Sequence, residues 1–214
     1  MAQVLIRTCL RNTGQTCYIS TRILAPAERY NELVDMVTAT IAAAKQGDPM
    51  QPDTVFGPAA TRAQEQTVRE YIRSGVAEGA RATTGGDQPS GFDQGFFVKP
   101  AVFADVTPDM RIAREEIFGP VLSILRYSSI DEGVALANNT PFGLGGTIFS
   151  ADPDPDRAFA LTGRLDTGSV GLGFFASNHA APFAGRHDSG LGAEFGPEGL
   201  QAYLSPQSVH RRIR

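Results

Sequence analysis

The chain has 214 residues, 42% of them apolar and 20% charged, with a formal net charge of −4. That length supports one large domain or two small ones around a real hydrophobic core, and the ordinary composition argues against disorder. Mild acidity and scattered basic residues exclude a nucleic-acid footprint, and the terminal HRRIR reads as a solvated end.

Two cysteines, Cys9 and Cys17, are too few for a disulfide framework. They lack a C-x-x-C spacing and a nearby histidine pair, so no metal site is expected. No apolar run reaches the roughly 18 residues that a membrane helix needs. The opening MAQVLIRTC has no signal-peptide pattern, which makes the cytoplasm the expected compartment.

In chain order, VLIRTCL can be helical, and YISTRILA (18–25) is β-branched and strand-like, ending at Pro26. From Pro26 to Lys45 the apolar residues Leu33, Val34, Val37 and Ile41 recur at helical spacing, with Gly47 just past the end. A second helix is expected from Thr61 to Ala77, with Val68, Tyr71, Ile72 and Val76 on one face. ARATTGG reads as a short strand into a turn, and GFFVKPAVFADV as an extended stretch broken at Pro100. VLSILRY (strand), SIDEGVALANN (helix, with Ser129 as N-cap), GGTIFS (strand), DPDRAFALTGR (helix) and GSVGLG (strand) follow. Strands alternating with helices imply an α/β fold, a twisted, mostly parallel sheet flanked by helices. The glycine- and proline-rich C-terminal stretch is expected to be irregular, with a strand near LQAYLSP.

Three stretches and the histidines bear on chemistry. In RNTGQTCYISTR, Gly14 permits a sharp turn before Cys17, and such a turn can aim N–H groups at an oxyanion. From the residues alone, Cys17 reads either as a small buried apolar residue or as an acyl-transfer nucleophile; Cys9 reads as buried. His179, His187 and His210 all lie near the C-terminus, and nothing in the sequence brings one to Cys17 as a thiol–imidazole pair. GLGFFA (171–176) matches a dinucleotide fingerprint, but SNHAAP after it cannot open the helix on which a phosphate would sit. REEIFGPVLSILRY (114–127) forms a rigid loop carrying Glu115, Glu116 and Phe118. A carboxylate there can accept from two ribose hydroxyls and a phenyl ring can pack on a flat heterocycle; the alternative is a solvated glutamate pair.

NTGQTC, REEIFGPV, PFGLGGTIFS and APFAGRHDSGLGAEFGPEGLQAY occur in the order and at about the spacing of the NAD(P)-dependent aldehyde dehydrogenase superfamily, which the chain resembles from Leu10 to Val209. The resemblance implies Cys17 as the nucleophile, Glu116 on the nicotinamide-side ribose and Phe118 beside the nicotinamide. It implies NAD or NADP as cofactor, a small-molecule aldehyde as substrate, and a homo-oligomer or association with a full-length relative. It divides the chain into a catalytic domain, 1–195, truncated at its N-terminus, and a C-terminal oligomerisation arm, 196–214.

Departures accompany the likeness. Family members are more than twice as long, and their cofactor domain, general base and oxyanion-hole asparagine precede the cysteine. A TVWVN-like strand reads SVGLG here, with Gly171 and Gly173 replacing an aromatic and an asparagine, and PFGG-x-K reads PFAGRH, with Ala184 and Arg186. The expectation is aldehyde oxidation through a cysteine thioester. The alternatives are a non-catalytic remnant acting through its oligomerisation interface and a cofactor-free cysteine hydrolase.

Overall fold

In the computed structural model, which describes residues 2–86, 91–92 and 94–213, helix α1 (Ala2–Cys9) leads through a 3-10 turn to strand β1 (Arg22–Pro26). Met1 and Arg214, the ends of the two expected segments, lie outside the described residues. Helix α2 (Tyr30–Ala43), helix α3 (Arg62–Ala77), strand β2 (Arg81–Thr84) and strand β3 (Ala101–Ala104) come next. Then follow helix α4 (Arg111–Arg114), strand β4 (Val121–Tyr127), helix α5 (Ile130–Asn138) and strand β5 (Gly145–Ile148). Helix α6 (Pro155–Thr162), strand β6 (Ser169–Leu172), strands β7 (Phe183–Ala184) and β8 (Ala193–Glu194), and helix α7 (Gly196–Gln201) complete the order.

The main sheet runs β1-β4-β3-β2, parallel except for the antiparallel edge strand β2. The alternation of side chains along its two central strands splits the core in two. Ala101 and Phe103 of β3 and Val121 and Leu125 of β4 face one cluster with Val68, Tyr71 and Ile72 of α3. Val102, Ala104, Leu122 and Ile124 face the other, with Leu5 and Cys9 of α1 and Val34, Val37 and Ile41 of α2. A sheet buried on both faces explains why VLSILRY is an almost unbroken apolar run. Its buried polar member, Ser123, donates to the Ile112 carbonyl at 3.0 Å. A separate parallel pair, β5-β6, and an antiparallel pair, β7-β8, carry the later part of the chain.

The caps follow side-chain chemistry. Thr61, Ser129 and Asp154 accept hydrogen bonds from the N–H groups of Gln64, Glu132 and Asp156, and Pro155 occupies the first turn of α6. The helix expected from Pro26 begins instead with a 3-10 turn over Ala27–Arg29. The strand expected near LQAYLSP is not formed: α7 runs to Gln201 and residues 204–213 have no regular structure. An extended segment needs a neighbour for its backbone groups, and this stretch is exposed throughout.

Tyr30 joins α2 to the sheet. Its buried hydroxyl donates to the Ile124 carbonyl at 3.2 Å and accepts from the Asp105 N–H at 2.6 Å. Tyr30→Phe strips both backbone groups of a partner and is predicted to cost about 1–3 kcal/mol in urea unfolding. An unchanged midpoint would refute this account.

Candidate active site

The nucleophile turn is built from an unusual backbone. Asn12, Thr13 and Gly14 take φ of 53°, 57° and 77°, three successive left-handed residues, which only glycine adopts without strain. The asparagine side chain relieves part of that strain locally, donating from Nδ2 to the Gln15 carbonyl at 3.1 Å. Close packing supplies the rest. A Cβ on Gly14 would stand 2.0 Å from the carbonyl oxygen of Gly119, so this turn lies directly against the IFGP loop. Cys17 follows the turn, exposed, just before β1.

The two cysteines are sorted by burial. Cys9 is buried beneath the sheet, where loss of solvent pushes its thiol up to about 12. It is therefore a packing residue with almost no thiolate at neutral pH. Cys17 opens into a groove of about 810 Å³ that Glu116 and Phe118 also line. The structure thus brings together all three residues that the resemblance singled out.

The two glutamates are equally distinct. Glu115 Oε2 accepts from the Tyr71 hydroxyl at 2.8 Å and from Arg111 Nε at 3.0 Å, and these bonds lower its pKa. Arg111 also stacks on the Tyr71 ring, 4.3 Å from its centroid. Among the described residues no hydrogen bond or ion pair engages Glu116, and partial desolvation raises its pKa. Glu115 is committed to structure, whereas Glu116 is a carboxylate with its acceptor sites open.

The histidines do not reach the thiol. His187 shares Asp166 with Arg186, Nε2 standing 2.6 Å from Oδ2, and His179 packs against Phe195 with ring centroids 4.5 Å apart. His210 lies in the exposed C-terminal stretch. No helix directly follows the GLGFFA match, since residues 173–195 contain none, so it lacks the helix N-terminus of a phosphate cradle. Among the described residues no group of three His, Cys, Asp or Glu side chains could hold a metal, and no helix is long and apolar enough to cross a membrane.

Thr13, Gln15 and Gln64 shape the site without having been singled out in the sequence. Gly57 N–H donates to Thr13 Oγ1 at 2.9 Å, and Ala60 N–H donates to Gln15 Oε1 at 2.8 Å. Gln64 Nε2 donates to the carbonyls of Ile117 (3.0 Å) and Phe118 (2.8 Å). The sequence signal for Gln64 was there: TRAQ at the start of α3 is a capping-box pattern.

The aldehyde dehydrogenase family model matches residues 1–209. Geranial dehydrogenase of Castellaniella defragrans is 48% identical over 93% of this chain and 41% of its own length. A 3-succinoylsemialdehyde-pyridine dehydrogenase of Pseudomonas sp is 39% identical over 95% of the chain and 43% of its own. Among solved structures, an NAD+ complex of the Mycobacterium tuberculosis aldehyde dehydrogenase superposes with a TM-score of 0.91 at 40% identity, over 94% of this chain and 41% of that one. An NAD+ complex from Bacillus cereus gives 0.93 at 33% identity, over 100% and 43%. The chain belongs to the aldehyde dehydrogenase family. It spans about two-fifths of the length of these relatives.

Two outcomes check this geometry. In native protein at pH 8, a thiol reagent is predicted to label Cys17 quickly and Cys9 only after unfolding in urea; two equally fast thiols would contradict the burial argument. Partial burial raises the Glu116 carboxyl above its ordinary value, so its contribution to stability is full below the ordinary glutamate range and declines as pH rises through the raised folded value. Glu116→Gln is therefore predicted to stabilise the protein more at pH 7 than at pH 4, measured by urea unfolding.

Proposed function

We propose that this chain carries the thiol half of an aldehyde oxidation, with Cys17 as nucleophile and Glu116 and Phe118 as contacts for the nicotinamide–ribose end of NAD or NADP. The observation that supports this most is the convergence of an open thiol, an unpartnered carboxylate and an aromatic ring on one groove. Glu116 fits the dinucleotide because its free oxygens can accept from both hydroxyls of a ribose. Phe118, 39% exposed, offers a ring face for a flat heterocycle.

The Cys17 thiolate adds to the aldehyde carbon, forming the C–S bond and placing negative charge on the former carbonyl oxygen. The Gly14 and Gln15 N–H groups already donate to the Leu10 and Asn12 carbonyls, so the N–H of Cys17 itself, which has no partner among the described residues, is the donor assigned to that oxygen. A bound nicotinamide supplies the hydride acceptor. The resulting Cys17 thioester is released by water as the carboxylic acid, freeing the thiol. Apolar side chains such as Ile19, Leu144 and Ile148 line the same groove as the thiol, which suits a small-molecule aldehyde with an apolar body.

The reading treats 1–195 as the catalytic unit and 196–214 as an oligomerisation arm. Tyr203, Val209 and Ile213 in that arm are 88%, 83% and 90% exposed, apolar area suited to pairing with a second copy or a full-length relative. Such pairing is the second reading, association without catalysis.

Calorimetric titration with NAD and NADP, together with an aldehyde-dependent assay of reduced cofactor, tests the proposal. Binding and turnover in the wild type, with turnover lost in Cys17→Ala, is the expected result. Absence of both leaves association as the function.

A further inference from the structure

We propose that Gln64 is a positioning residue that holds Phe118 in place, and that residues 57–64 keep the nucleophile turn and the Phe118 loop in register. The inference deepens the functional reading above and rests on it for its meaning, though its geometry stands alone.

The sequence pattern sets a local expectation that the structure does not follow. In a Thr-x-x-Gln capping box, the glutamine side chain turns back to the N–H of the capping threonine. Half of the box forms here, since Thr61 Oγ1 accepts from the Gln64 N–H at 3.1 Å. The other half is diverted: Gln64 Nε2 turns outward to the carbonyls of Ile117 and Phe118. One amide nitrogen has two hydrogens, so both carbonyls are served by one side chain.

Phe118 needs that support. Its φ is +54°, a left-handed conformation that costs a bulky residue free energy and persists only when its surroundings impose it. Val68, one helical turn beyond Gln64, presses from the same helix face: a Cβ on Gly119 would lie 2.3 Å from Val68 Cγ2. The first turns of α3 therefore grip the loop at two successive residues. The ring itself stays exposed and, among the described residues, stacks on no other aromatic ring, so its placement depends on the backbone beneath it.

The strand-like segment before α3 grips the other loop. Gly57 and Ala60 N–H groups donate to Thr13 and Gln15, and Gln15 Nε2 donates to the Pro58 carbonyl at 3.3 Å. Residues 57–64 thus touch the Cys17 turn through Thr13 and Gln15, and the Phe118 loop through Gln64. Their joint effect is to set the spacing between the turn that carries Cys17 and the loop that carries Phe118.

The test labels position 118 with 4-fluorophenylalanine and records its fluorine NMR signal in the wild type, Gln64→Glu and Gln64→Ala. Gln64→Glu keeps size and shape but turns a carboxylate on two carbonyl oxygens; Gln64→Ala is a good helix former and guards against a variant that does not fold. Urea midpoints establish that each variant is native. The expected result is a displaced or broadened signal in both variants. A signal that coincides with the wild type in a folded variant overturns the proposal. Where the wild type binds NADH, Gln64→Glu is expected to weaken it about tenfold, the scale of a lost hydrogen bond, and unchanged affinity also overturns it. Failure of the wild type to bind NADH counts against the functional reading, while the fluorine signal still decides the role of Gln64.

Discussion

The contact between Gly14 and Gly119 is the constraint on which the site depends. Both positions exclude a side chain: a Cβ on the first would meet the second's carbonyl oxygen at 2.0 Å, and a Cβ on the second would meet Val68 at 2.3 Å. Three layers are stacked closely: the nucleophile turn meets the IFGP loop backbone to backbone, and the Val68 side chain of α3 presses on that loop's other side. That closeness holds Asn12, Thr13 and Phe118 in left-handed conformations that none of them would adopt alone. Strain of this kind survives only where neighbouring structure over-determines it.

The sheet explains why those loops meet. Strands β1 and β4 are adjacent and parallel, with Arg22 opposite Ser123. Loops that enter adjacent parallel strands lie side by side at the same sheet edge. Cys17 and Phe118 each stand five residues ahead of those paired positions, so the register itself sets the loops that carry them side by side. Burial of the sheet on both faces makes that register costly to slip, because a one-residue shift would exchange the side chains of the two core clusters.

Chemically similar residues acquire separate tasks through environment. Cys9 packs under the sheet with a thiol raised to about 12, and Cys17 stands open in the groove. Glu115 is bound by Tyr71 and Arg111, and Glu116, the next residue along, keeps its oxygens free. Both glutamates border the groove, but one is tied to α3 and α4 through Tyr71 and Arg111 while the other has no such partner among the described residues.

Much of the architecture was legible because it rests on local chemistry. VLSILRY is strand β4 from Val121 to Tyr127, Ser129 caps α5, and the apolar spacing of Val68, Tyr71 and Ile72 marks the buried face of α3. Val76, expected on that same face, is instead 56% exposed in the last turn of the helix. The resemblance placed Cys17, Glu116 and Phe118 together, and the groove contains all three. LQAYLSP was misread because apolar content alone does not supply a neighbouring strand. Gln64 was missed because its capping-box pattern describes only the helix that contains it. The sequence by itself determined periodicity, caps, turns and family, which arise from residues a few positions apart. Tertiary structure decided which cysteine is open, which glutamate is free and where Gln64 turns, because burial and hydrogen-bond partners come from chain segments distant in sequence.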